Sequence, residues 1–111
     1  MYEIKAIIRR ERLEDVLRGL HAMQGVPGAT VSVVKGYGRR QAEGDDSPAA
    51  EFGEVDVTKL ELVVPETLVD PVTSTIQRLA HTGRAGDGKI FVLPVTEAIK
   101  VRSGARGPDA L

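Results

Sequence analysis

Three glycines within six residues, Gly83, Gly86 and Gly88, surround Asp87 in the stretch Thr82–Phe91, TGRAGDGKIF, and Lys89 follows the last of them. Glycine reaches backbone conformations closed to residues with a Cβ, so such a segment can aim several N–H groups at one anion. Lys89 adds a positive charge at the rim of that cradle. The spacing Gly83-x-x-x-x-Gly88-Lys89 copies the first part of a P-loop. It then departs. A P-loop continues with Ser or Thr to hold magnesium and leads from a strand into a helix. Here Ile90 follows Lys89, and the segment leads from a helical pattern into a strand. The expected chemistry is phosphate binding by a loop of another kind; the plain alternative is a glycine-rich turn with no ligand.

The elements that must hold this loop can be read in order. Tyr2, Ile4 and Ala6 alternate with Glu3 and Lys5 and end at Ile7–Ile8, which is strand spacing. Leu13, Val16, Leu17, Leu20 and Met23 recur at helical spacing, and Gly25 with Pro27-Gly28 stops that helix. Thr30–Val34 is β-branched and reads as a second strand. A long polar stretch follows from Gly36 to about Asp56, of a length that is usually functional in a small domain. Val57–Val64 resumes strand character, and Leu68, Val69, Val72, Ile76, Leu79 and Ala80 mark a second helix with Pro71 in its first turn. Ile90–Leu93 is a fourth strand, Thr96–Val101 a short fifth, and the tail from Ser103 reads as loosely held.

The order is β-α-β, long loop, β-α-β. It predicts an α+β fold, a ferredoxin-like sandwich with both helices on one face of an antiparallel sheet. The other face, rich in Val, Ile and Leu, predicts burial against another subunit. Residues 1–111 suffice for one domain and one aliphatic core, since only two Phe, two Tyr and no Trp are present. A formal net charge of −1 supplies no global field for gripping nucleic acid. With no Cys, disulfides, thiolate nucleophiles and the usual zinc sites are excluded together. No apolar run approaches a membrane span, so a cytoplasmic chain without membrane insertion is expected.

The loop, the fold and the long insertion together resemble the PII signal-transduction family. The similarity covers YEIKAIIRRERLEDV, TVSVVKGYGR, KLELVVPE and, most specifically, HTGRAGDGKIFV followed by Lys100 and Arg102. The resemblance implies a homotrimer that binds adenine nucleotides (ATP, ADP or AMP) between subunits. It also implies a long T-loop, here residues 37–56, that docks onto a protein target, with a membrane transporter expected. Residues 82–89 become the phosphate-binding B-loop and residues 100–111 the C-terminal segment. By the same resemblance Gly86, Asp87, Gly88 and Lys89 grip the polyphosphate, and Arg102 reaches it from a neighbouring subunit. Lys100 stands where a second arginine is usual, a point charge in place of a fork. Gly36, Gly38 and Arg39 match the hinge of the T-loop, Thr30 and Glu61 the surroundings of the adenine, and Ile7 and Val63 the pocket lining.

The chain also departs from the family pattern. Arg40 replaces the glutamine that helps hold magnesium and 2-oxoglutarate, Gln41 stands one place late, and Val57 replaces a lysine that grips 2-oxoglutarate. No tyrosine lies between Arg39 and Val57, so uridylylation has no acceptor. The expectation is a divergent regulator rather than an enzyme, with magnesium left open and a state other than 2-oxoglutarate reported. Its alternatives are a slow ATPase that resets its own switch, or a sensor linked to bicarbonate or a metal. Arg106, between two small residues, is the candidate for a bicarbonate-like anion. His21 and His81, with no Cys, make a poor metal site, and Glu43, Asp45 and Asp46 read as a solvated loop.

Overall fold

Alternation in the first strand decides how the molecule is layered. The computed structural model of the chain describes residues 1–38 and 53–111. Strand β1 (Tyr2–Ile8) turns Ile4, Ala6 and Ile8 into the core, and Glu3, Lys5 and Ile7 to the other face. A 3₁₀ turn, Arg10–Arg12, leads into helix α1 (Leu13–His21), then come β2 (Thr30–Gly38), β3 (Gly53–Val64), helix α2 (Glu66–Ala80) and β4 (Gly88–Pro94). A last 3₁₀ turn spans Gly107–Ala110. The sheet order is β2-β3-β1-β4 and every pairing is antiparallel, the ferredoxin-like arrangement expected from the order of elements. Val16 and Leu20 of α1, with Val72, Ile76 and Ala80 of α2, close on Ile4, Ala6, Leu60, Leu62 and Val64 to form the core. Pro71 lies inside α2, in its second turn rather than its first.

Two expectations are corrected. The stretch from Gly36 to Asp56 is not all loop: β2 and β3 stay paired through Gly36↔Val55, Tyr37↔Glu54 and Gly38↔Gly53. Lys35 stiffens this stem from one side, with its Nζ 2.8 Å from Asp56 and 3.1 Å from Glu54 across the strand pair. Residues 39–52 lie outside the described part, and with them Arg39, Arg40, Gln41, Glu43, Asp45 and Asp46. The short fifth strand is reduced to a single bridge, Ile99↔Arg106. Lys100 N–H donating to Ala105 O, and Gly104 N–H to Lys100 O, each at 2.8 Å, close a turn there, and Val101 stands almost wholly in solvent.

The sheet face away from the helices is mixed rather than apolar. Register places Thr30, Glu61, Lys5 and Phe91 in one transverse row, and Ser32, Lys59, Ile7 and Lys89 in the next. Charged side chains therefore share the face with polar and apolar ones.

Thr58 is the odd member of the core. It is 1% exposed, and its hydroxyl has no hydrogen-bond partner among the described residues. A buried polar group left unmade costs about 1–3 kcal/mol, and valine has nearly the same shape. Thr58→Val is therefore expected to raise stability by about 1 kcal/mol, read as a higher urea midpoint at unchanged slope.

Candidate functional site

The chain between α2 and β4 folds around one carboxylate. Asp87 Oδ2 accepts the backbone N–H of Thr82 at 2.8 Å and of Gly83 at 2.9 Å. Its Oδ1 accepts the Thr82 hydroxyl and, at 2.9 Å, the Arg9 Nε–H. Arg9 also donates to Ala85 O at 2.7 Å, so one guanidinium from the end of β1 fastens the loop at two points. The Thr82 hydroxyl and amide, then Arg9, hold the Asp87 carboxyl well below the usual carboxylate range. Asp87 belongs to the loop expected to grip phosphates through its backbone N–H groups; its carboxylate faces into the loop and sets the loop's shape.

This internal bonding uses the amides of Thr82, Gly83 and Arg84, the last of which donates to the Thr82 hydroxyl at 3.2 Å. The amides of Ala85, Gly86 and Asp87 make no hydrogen bond of normal geometry to any described residue. They follow one another beside Gly86 (φ 92°) and Gly88 (φ 108°). Successive bare N–H groups in such a turn make a concave anion site. Gly88 is needed for a second reason. A Cβ there would stand 1.7 Å from Ile7 O, because Gly88 opens β4 directly against Ile8. Lys89 is exposed and forms no ion pair among the described residues. It borders a cavity of about 320 Å³ with Ile8, Gln77, His81, Gly88 and Ile90.

A second cavity, of about 330 Å³, gathers Thr30, Glu61 and Val63 with Glu3, Gly28 and Leu111. Glu61 is held below its ordinary range by a hydrogen bond with Glu3, then by Lys59, whose Nζ is 3.2 Å from Oε1, and by Lys5. Ile7 lies between Lys59 and Lys89 in the register. The remaining expected residues lie apart within one protomer. Thr30, Gly36 and Gly38 are on β2, at the opposite edge of the sheet from Lys89. Three strand spacings of roughly 4.8 Å separate those edges. Lys100 and Arg102 ride on the exposed turn after β4, with no hydrogen bond or ion pair to the glycine loop among the described residues. Arg106 already faces a carboxylate, Glu97 Oε1 at 2.7 Å, which neutralises part of its charge toward an added anion. Among the described residues no cluster has the makings of a metal site, and no helix is long and apolar enough to cross a membrane.

Arg9, Thr82, Glu3 and Lys59 were not among the expected site residues. Arg9 is 78 positions from Asp87 in the sequence, so no local pattern joins them. Glu3 and Lys59 become neighbours of the site only once the register is known. The alternation of strand residues, which put Glu3 on the face shared with Glu61, was the available signal.

The family model for nitrogen regulatory protein P-II matches residues 1–105. The chain is 42% identical to nitrogen regulatory protein P-II of Azospirillum brasilense and to P-II 1 of Escherichia coli K12, with the whole of each chain covered. Among solved structures, B. subtilis GlnK superposes with a TM-score of 0.84 at 34% identity, covering 99% of this chain and 97% of that one. Arabidopsis thaliana PII bound to citrate gives 0.80 at 41% identity, over 99% and 91%. These matches span the sheet, both helices and the glycine loop, and the chain belongs to the nitrogen regulatory P-II family of signal-transduction proteins.

Proposed function

We propose that this P-II protein binds an adenine nucleotide in clefts between the subunits of a homotrimer and passes the occupancy of those clefts to residues 37–56, which control a protein target. A membrane transporter is the target proposed. The observation that carries the reading is the run of amides at Ala85, Gly86 and Asp87 that make no hydrogen bond of normal geometry among the described residues, beside the Lys89 ammonium, which forms no ion pair among them. Bare N–H groups and one fixed charge suit a polyphosphate. The split of the other residues supports a cleft between copies. Thr30 and Gly36 on one sheet edge meet Gly88 and Lys89 on the other when copies close into a ring. Lys100 and Arg102, on a turn that stands away from its own glycine loop, supply charge to a neighbour's cleft. A nucleotide switches the molecule only through differential affinity for two arrangements of the T-loop.

Calorimetry against ATP, ADP and AMP tests this. Wild-type protein gives saturable heat with at least one of them. Lys89→Ala weakens that binding roughly tenfold to a hundredfold, the effect of losing a charged hydrogen-bond donor, while its thermal midpoint without ligand stays unchanged. Wild-type protein that gives no heat with any of the three refutes the reading.

A further inference from the structure

The bond from Arg9 to Ala85 O does more than fasten the loop. Ala85 and Gly86 are the two central residues of a turn, with φ 92° at Gly86 and no positive φ at Ala85. That pairing of signs is the type II pattern. Type II and type I turns differ in the dihedrals on either side of the central peptide, so rotating that peptide by roughly half a turn converts one into the other. Glycine at the second central place enters both forms. The residue types alone therefore leave the orientation of the Ala85–Gly86 peptide undecided.

Arg9 decides it. A trans peptide points its C=O and its N–H in opposite directions, and no cis bond lies among the described residues. With Ala85 O accepting from Arg9 at 2.7 Å, the Gly86 N–H is turned away from the guanidinium. The Asp87 carboxylate is held by the same guanidinium, 2.9 Å from Nε. Rotated the other way, the Gly86 N–H would face Arg9, donor against donor, and Ala85 O would take the direction the N–H now has. A carbonyl oxygen in that direction repels an anion; an N–H binds one. The Arg9 side chain is only 17% exposed, so water competes poorly for this charge-assisted bond. Resting on the nucleotide reading above, we infer that Arg9 is a positioning residue that sets the Ala85–Gly86 peptide to present an N–H, and not a carbonyl, to the phosphates. Its contribution is direction rather than charge, because Asp87 already balances the guanidinium.

The test follows the Gly86 N–H itself. Residual dipolar couplings on the full nitrogen-15-labelled chain report its angle to the sheet, and calorimetry with ATP reports affinity. Arg9→Met keeps the length of the side chain and removes its donors. Its Gly86 coupling is expected to collapse toward an average while those of β1 and β4 hold. ATP binding weakens roughly tenfold, as when the competent form falls to about one part in ten. Arg9→Lys keeps the charge but not the fork, and its affinity follows its Gly86 coupling. Arg12→Met is the control, since Arg12 donates to Leu79 O at 2.8 and 2.6 Å, outside the loop. It lowers the thermal midpoint and leaves both readouts at wild-type values. An Arg9→Met protein that keeps the wild-type Gly86 coupling overturns the inference. So does an Arg9→Lys protein that regains full affinity while Gly86 stays averaged, since charge would then be the cause. Should Arg9→Met lose the fold in thermal melts, Arg9→Lys carries the same comparison. Wild-type protein that binds no ATP overturns the nucleotide reading, and the couplings still decide whether Arg9 sets the peptide.

Discussion

Replacing Gly88 by alanine lowers folding stability by about 3–5 kcal/mol, at the far end of single-residue effects. The new methyl would lie 1.7 Å from Ile7 O and 2.8 Å from Ile7 C, both backbone atoms, so no rotamer can make room. Rotating the backbone is no escape, because φ at Gly88 is 108°, outside the range an L-residue readily adopts. Relief comes only by parting β4 from β1 at the Ile8↔Gly88 and Ile7↔Lys89 pairs, which carries Lys89 away from its cradle. Gly28→Ala is the control. Nothing lies within 4 Å of a Cβ there, and it is expected to stay within about 0.5 kcal/mol of wild type. Urea midpoints at one fixed protein concentration check both, because association shifts apparent stability by mass action. A Gly88→Ala protein as stable as the Gly28→Ala control would show that the β1–β4 junction is far more yielding than its geometry.

The second large effect is on binding rather than folding. Asp87→Asn should weaken nucleotide binding roughly tenfold to a hundredfold, the scale of losing hydrogen bonds to a charged group. Asparagine offers one acceptor oxygen where the carboxylate offers two, and turns an N–H₂ toward the Thr82 and Gly83 amides or toward Arg9. The loop then loses the anchor that ties Thr82, Gly83 and Arg9 to one point and fixes its shape. The pH behaviour carries a definite sign. Because the folded-state carboxyl titrates below its unfolded value of about 3.9, its stabilisation is complete above that value and fades as pH falls toward the folded one. Thermal midpoints measured from pH 7 down to pH 2 should therefore fall less steeply below pH 4 in Asp87→Asn than in wild type. Parallel curves would assign acid sensitivity to other carboxylates.

The helices and strand faces were legible because one periodicity governs each. Val16 and Leu20, or Val72 and Ile76, recur at helical spacing and are buried for that reason. Ile4, Ala6 and Ile8 alternate and are buried likewise. The stem was misjudged because Gly36, Gly38 and Gly53 signal a break locally, whereas pairing across β2 and β3, with Lys35 between Glu54 and Asp56, overrides weak propensity. The open sheet face was overestimated as apolar because Lys5, Lys59, Glu61 and Lys89 fall on it only after strand register is known. The glycine loop was located from the spacing of Gly83, Gly86 and Gly88 alone, which left a phosphate loop and a plain turn equally open. The inward turn of Asp87 could not be read from neighbouring letters, since Arg9 arrives from the far end of the chain.

The pairing of Gly38 with Gly53 has a mechanical consequence. Residues 39–52 leave and rejoin the body side by side, so a force applied to them reaches β2 and β3 as one beam rather than unravelling either alone. That beam is rooted in the strand holding Thr58 and Glu61, and β3 borders β1, which in turn borders β4. A pull on those ends is thereby delivered as tilt, and the lever's fulcrum lies among β3, β1 and β4, the last of which opens at the glycine loop.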